Sequence, residues 1–154
     1  MTDMAIKYFL SEDLSSIVAD ITMDGYDVSK DDGLFTATVI SLFTDRRAHD
    51  DDVLPDGGTD KRGYFGDAFP EVEGDLIGSR LWLLKREKQT QSVLNRAREY
   101  CDEALLWMIE DGVAKSVKVE TSIPRTSILG IYVEITRPDD AVVKFRFEKF
   151  WIGN

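Results

Sequence analysis

The chain carries one histidine and one cysteine, so nucleophilic and metal chemistry has little to work with. His49 lies in Ala48-His49-Asp50-Asp51-Asp52, and no Gly-x-Ser-x-Gly turn occurs to offer it a serine. It reads as an exposed loop histidine, not a catalytic base. A zinc site needs three or four clustered ligands, which one Cys and one His cannot supply. Cys101 falls within an apolar helical stripe and reads as a small buried hydrophobe, not a reactive thiol. No glycine loop of the phosphate-binding or dinucleotide type is present.

Carboxylates are the plentiful reagent. Asp50, Asp51, Asp52, Asp56 and Asp60 surround the Gly57-Gly58 turn and are hard oxygen ligands of the kind calcium takes. The EF-hand template fails, however. Counted from Asp52, its third position is Leu54 and its twelfth is Gly63, where a glutamate is needed. A glycosidase would use two carboxylates facing each other across a cleft. The chain has 29 acids, and nothing in their spacing marks a pair. The residues therefore predict no catalytic group, no metal and no cofactor.

The acids belong to a long segment, residues 44–82, that has neither helical nor alternating apolar period. Loops of that length inside a small domain usually belong to a function or an interface. This one is punctuated by Asp45-Arg46-Arg47, Pro55-Asp56-Gly57-Gly58, Arg62-Gly63-Tyr64-Phe65-Gly66-Asp67 and Gly78-Ser79-Arg80-Leu81-Trp82. Rings and guanidinium groups beside glycines predict an ordered loop. Tyr64, Phe65 and Trp82 are expected to be buried. Arg46, Arg47 or Arg62 is expected to pair with loop acids such as Asp67. Residues 45–75 hold ten acids and four bases, whereas 80–98 hold six bases, Arg80, Lys85, Arg86, Lys88, Arg96 and Arg98. Either the acidic loop lies against this basic stretch, or each strip meets an oppositely charged neighbour.

The elements that must hold the loop are an α+β set. Ile6–Leu10 and residues 16–22 read as strands of an N-terminal hairpin over 1–30, turned at Ser11-Glu12-Asp13. Asp31 and Asp32 precede a helix from Leu34, with Leu34, Ala37, Ile40 and Leu42 toward one face, although the β-branched Thr36, Thr38, Val39 and Ile40 pull toward strand. After the loop a helix pair is expected, from Arg80 to Lys88 and over 90–111. The second carries Leu94, Ala97, Cys101, Leu105 and Met108 at spacings of three and four and stops at Gly112. Residues 115–152 read as a three-stranded antiparallel sheet, with Pro138-Asp139-Asp140 as its last turn. Apolar side chains must meet across the last strand pair, so Ile135 faces Val143, Val133 faces Phe145 and Ile131 faces Phe147. That register also sets Glu134 against Lys144 on the wet face.

At 154 residues the chain fits one domain, 1–154. A net charge of −10 argues against nucleic acid or an anionic membrane as the main partner, and no apolar run reaches the length of a span. Met1–Leu10 lacks the basic and small-residue signals of a secretory leader, and a single cysteine fits a reducing compartment.

The order TDRRA, LPDGG, RGYFGD and GSRLWLL, followed by a helix ending in ALLWMIEDGVAKSV, resembles the Mu-like phage baseplate wedge protein family over roughly residues 30 to 150. That family is similar to a wider set of contractile-tail baseplate wedge components, once described as lysozymes and now regarded mainly as structural. The resemblance implies a virion protein of the tail tip, assembled in the host cytoplasm, that binds larger wedge subunits and touches the first sheath ring. A tail-borne peptidoglycan glycosidase is the alternative. In the wider set a Glu-Pro-Arg signature at the end of the helix contacts the wedge helices. Here the matching place reads Glu110-Asp111-Gly112-Val113, so only Glu110 corresponds. Ile123-Pro124-Arg125 lies beyond the first strand and does not take that role. The interface candidates are Glu110, Arg46, Arg47, Arg62, Tyr64, Phe65, Arg80 and Trp82.

Overall fold

The computed structural model describes residues 33–64, 67 and 76–151, and the backbone alone of 3–4, 6–10, 17–21, 23–24, 27–28 and 30–31. Within the N-terminal segment, Ile6–Leu10 (β1) pairs antiparallel with Ile17–Ile21 (β2), from Ile6 opposite Ile21 to Leu10 opposite Ile17. Asp3–Met4 pairs with Lys30–Asp31, and Met23–Asp24 with Asp27–Val28. The expected turn at Ser11-Glu12-Asp13 lies outside the described residues.

The first helix, α1, spans Leu34–Phe43. Its β-branched residues are tolerated because Thr38 Oγ1 donates to the Leu34 carbonyl at 2.7 Å, taking its hydroxyl out of competition with the helix. Gly33 is the N-cap, with φ of 81°, and the side chains of Asp31 and Asp32, expected to cap the helix, lie outside the described residues. The buried face also differs from expectation: it is Leu34, Thr38, Val39, Ser41 and Leu42. Ile40 sits about 240° around the helix from Leu34 at 3.6 residues per turn and faces outward, 45% exposed.

The expected helix pair is one helix preceded by a single tight turn. Leu81–Leu84 form a 3-10 turn in which all four side chains are buried. A segment enclosed on every side has no polar face to give solvent, so the amphipathic period that would have extended it is missing. The chain turns again and restarts at Thr90, whose hydroxyl accepts the Val93 N–H at 3.3 Å. Helix α2, Gln91–Glu110, then buries Val93, Leu94, Ala97, Tyr100, Cys101, Ala104, Leu105 and Met108. Just beyond it, Gly112 takes a left-handed φ of 73°.

The C-terminal sheet contains Ser116–Arg125 (β3), Ile128–Thr136 (β4) and Val142–Phe150 (β5), in the order β3-β4-β5. The register has the four predicted pairs: Ile135 with Val143, Val133 with Phe145, Ile131 with Phe147 and Glu134 with Lys144. The inward face presents Val119, Leu129, Ile131, Val133, Ile135 and Phe147. Helix α2 packs over β3, where Thr121 Oγ1 donates to the Leu94 carbonyl at 2.8 Å. Helix α1 covers the β5 end of the same face through aromatic contacts, with Phe35–Phe145 and Phe43–Phe147 centroids each 5.4 Å apart and edge-on. Trp151 closes the core: its ring N–H donates to the Leu84 carbonyl at 2.9 Å and ties the end of the sheet to the 3-10 turn.

Candidate functional site

Three separated pieces of the 44–82 loop lie side by side. Asp45 and Ser79 form a parallel bridge, in which Arg46 N–H donates to the Ser79 carbonyl at 3.0 Å and Ser79 N–H to the Thr44 carbonyl at 2.9 Å. The Ser79 hydroxyl donates to the Leu42 carbonyl, which joins the bridge to the end of α1. Ala48 N–H donates to the Lys61 carbonyl at 2.9 Å, bringing in the third piece. Two glycines permit this approach. A Cβ on Gly78, at φ 96°, would meet the Thr44 carbonyl oxygen at 2.2 Å, and one on Gly63, at φ 110°, would meet Arg47 Cβ at 2.9 Å. Trp82 is the buried ring among the described loop residues, 5% exposed, and its ring N–H donates to the Arg46 carbonyl at 2.8 Å.

Charge fills the space around that frame. Arg80 donates to both oxygens of Asp52, at 2.8 and 3.0 Å, and to Glu103 at 3.0 Å, while its guanidinium stacks over Tyr100 at 4.5 Å. Arg46 approaches the same Glu103 at 3.7 Å and donates to the Leu76 carbonyl at 2.6 Å. His49 Nε2 lies 3.6 Å from Glu103. Arg62, itself at φ 53°, pairs with Asp45 at 2.6 Å and stacks over Trp82 at 4.5 Å. Lys61 pairs with Asp50. Burial raises the Asp52 carboxyl, but hydrogen bonds from Arg80 and the His49 backbone, with the positive charge beside it, outweigh that and hold it below its ordinary value. Burial likewise pulls the Arg80 guanidinium down, and its two carboxylate partners carry it above its ordinary value.

Glu103, which sequence reasoning passed over, is the hub of this network. One sign of it was available: an acid at spacings of three and four from Tyr100 and Trp107 on one side of α2. The acidic loop and the basic stretch do meet within one molecule, through Arg80 and Asp52.

The candidate residues divide into two sets. Arg46, Arg80 and Trp82 face inward and hold the loop on α2. Arg47 is exposed, and Glu110 is exposed at the end of α2. Tyr64, expected to be buried, is 47% exposed. Phe65 lies outside the described residues. Asp67 is not paired to an arginine as expected: one oxygen accepts the Ile77 N–H at 3.4 Å and the other has no hydrogen-bond partner. The arginines take Asp45, Asp52 and Glu103 instead.

Among the described residues, open hollows flank the helices. One of about 470 Å³ is lined by Gly33, Leu34, Val113 and Arg137, among others, and one of about 310 Å³ by Ile40, Ile77, Trp107 and Asp111, among others. Burial raises the Asp102 carboxyl above its ordinary value, but Asp102 lines neither hollow. Among the described residues no group of three or more His, Cys, Asp or Glu is arranged to hold a metal, and no helix is long and apolar enough to cross a membrane.

The model of the phage protein GP46 family matches residues 34–142, which takes in both helices, the loop and most of the sheet. The chain belongs to the GP46 family of phage proteins. It is 42% identical over 153 residues to "Baseplate protein gp46" of Escherichia phage Mu, covering 99% of each chain. It is 34% identical over 151 residues to "Mu-like prophage FluMu protein gp46" of Haemophilus influenzae (strain ATCC 51907 / DSM 11121 / KW20 / Rd), covering 98% of each. The Mu-like baseplate resemblance of the loop motifs is therefore a family relationship that spans nearly the whole chain.

Proposed function

We propose that the protein is a non-enzymatic structural component of a contractile phage tail baseplate, contacting larger wedge subunits and the first sheath ring. The observation that carries this reading is the 42% identity, end to end, with a protein named for the baseplate of phage Mu. The loop supports it physically. Its inward residues are engaged in fixing its shape, and Arg47, the half-exposed Tyr64 and the outer side of Arg62 are offered as contact groups, with Glu110 at the far end of α2. A surface fixed before binding loses little conformational freedom on docking. Phe65 remains a contact candidate, and the 1–30 hairpin is part of the same 1–154 wedge domain. The outer edges of β3 and β5 are further places where a neighbour's strand could add by main-chain hydrogen bonds. The particle is the tail tip of a virion, assembled in host cytoplasm.

The test is co-purification of the full chain with the neighbouring tail proteins. Arg47→Ala with Tyr64→Ala should abolish capture, and Arg47→Ala alone should weaken it while leaving the thermal melt unchanged. Full capture by that double variant would remove the loop as the contact surface. Clearing of peptidoglycan by the purified protein, lost on a single carboxylate-to-amide change, would replace the structural reading with the glycosidase.

A further inference from the structure

The C-terminal sheet has an apolar corner on the face turned away from the helices. Along β4, Leu129, Ile131, Val133 and Ile135 take the inward parity, so Ile128, Gly130, Tyr132 and Glu134 take the outward one. The second face of an antiparallel sheet is commonly wet. Ile128 is not: it is 4% exposed, and among the described residues it is the buried apolar side chain that the core does not include.

Exposure falls in one direction across this outer face. The outward residues of β3, from Ser116 to Pro124, are all exposed. On β5, Val142, Lys144 and Arg146 are exposed, whereas Glu148 and Phe150 are half-buried, and Phe150 is the cross-strand partner of Ile128. Cover therefore lies over the corner where the start of β4 meets the end of β5. The charges at its rim, Arg125 and Glu148, compensate each other at 2.5 Å, so the corner itself is neutral and apolar.

The N-terminal hairpin is placed to supply that cover. Its first strand, β1, runs beside β5. The register of β1 with β2 sets Ile6 opposite Ile21, Tyr8 opposite Ala19 and Leu10 opposite Ile17, so these six share one face of the hairpin. The other face mixes Lys7 and Asp20 with Phe9 and Val18. An isolated two-stranded hairpin is marginal in water, and an apolar face of three cross-strand pairs has to be buried against something.

We propose that the outer corner of the sheet at Ile128 and Phe150 is the docking seat of the chain's own N-terminal hairpin, with the face that holds Ile6, Tyr8 and Leu10 set against it. The proposal does not depend on the reading of the protein as a baseplate component. It bears on that reading in one respect: a hairpin docked on the β5 side leaves the outer edge of β3 as the open one for a neighbour's strand.

NMR of the full-length chain labelled at isoleucine methyls tests the seat directly. The Ile128 methyl should show cross-relaxation with a methyl of Ile6, Ile17 or Ile21. Contacts of Ile128 with Phe150 and the Arg125 stem alone would mean that the sheet covers it unaided, and would overturn the proposal. A sample mixing labelled and unlabelled chains separates the occupants, and a hairpin contact seen only between chains would assign the seat to a second copy and overturn it as well. Substitution gives an independent measure. Leu10→Ser and Ile128→Ser should each lower the melting temperature, and together by clearly less than the sum, because both undo one contact. Leu10→Ser combined with Val133→Ala, on the opposite face of β4, should lower it by the sum. Losses for Leu10→Ser that add as fully with Ile128→Ser as with Val133→Ala would refute the seat.

Discussion

Arg80→Ala tests whether the loop is held by charge. The guanidinium makes two contacts to Asp52, one to Glu103 and a stack on Tyr100. The side chains of Arg80, Asp52 and Glu103 are 15%, 11% and 27% exposed, so this pair lies between the surface and buried limits. Breaking a buried pair costs about 3–5 kcal/mol, and an exposed one contributes about 0–1 kcal/mol. Two features pull the cost below the buried limit. Asp52 keeps the His49 backbone N–H at 2.7 Å, and Glu103 keeps Arg46 at 3.7 Å. Loss of the stack adds roughly 0.5–1 kcal/mol. The expected total is about 3 kcal/mol, read by urea denaturation at neutral pH, or a fall in melting temperature on the order of 10 °C for a chain of this size. Adding Asp52→Asn to Arg80→Ala should recover part of the loss, because the stranded carboxylate is then neutral. The pH dependence has a definite sign. Asp52 is depressed in the fold, so its contribution is present above the unfolded carboxyl pKa, about 3.9, and lost as pH falls through the lower folded value. The stability gap between wild type and Arg80→Ala should therefore close in acid. A loss under about 0.5 kcal/mol, the size of an ordinary surface change, would refute the reasoning. So would a double variant no more stable than Arg80→Ala alone.

Three further substitutions probe the frame. Trp82→Phe keeps a ring in the slot but leaves the Arg46 carbonyl without its donor, and should cost about 1–2 kcal/mol and speed proteolysis within residues 50–61; an unchanged cleavage rate would show the indole N–H to be idle. Gly78→Ala places a methyl 2.2 Å from a backbone oxygen at a positive φ and should cost about 2–3 kcal/mol or more, whereas Gly58→Ala, at φ −75° with open space around its Cβ, should be near neutral; equal melting temperatures for the pair would contradict the close approach at Thr44.

What was legible in the sequence was whatever a single period could carry. The register of β4 and β5 follows from facing alone, since a slip by one residue would turn Phe145 and Phe147 to solvent. Helix α2 is twenty residues with a continuous stripe, long enough that period outweighs any local exception. Ten-residue α1 shows the opposite case: Ile40 looked like stripe because it is apolar, and the true face includes Thr38 and Ser41, whose hydroxyls find partners at the Leu34 carbonyl and the Trp107 ring N–H. Leu81–Leu84 misled for the same reason, as four consecutive apolar residues match a helix or a turn equally well until their surroundings are known. The loop was legible in kind but not in pairing. Arginines and glycines announced order, yet which acid each arginine takes depends on three strands of chain meeting across more than thirty residues, and one of those acids, Glu103, is on a helix outside the loop. Glu103 and Lys149 share a lesson. Each is a charge at a place where the local pattern calls for an apolar or aromatic neighbour, on the side of α2 between Tyr100 and Trp107 and on the inward parity of β5. Following the period through a charge, instead of stopping at it, finds both. Glu103 meets Arg80 and Arg46, and among the described residues Lys149 meets the face of Phe43.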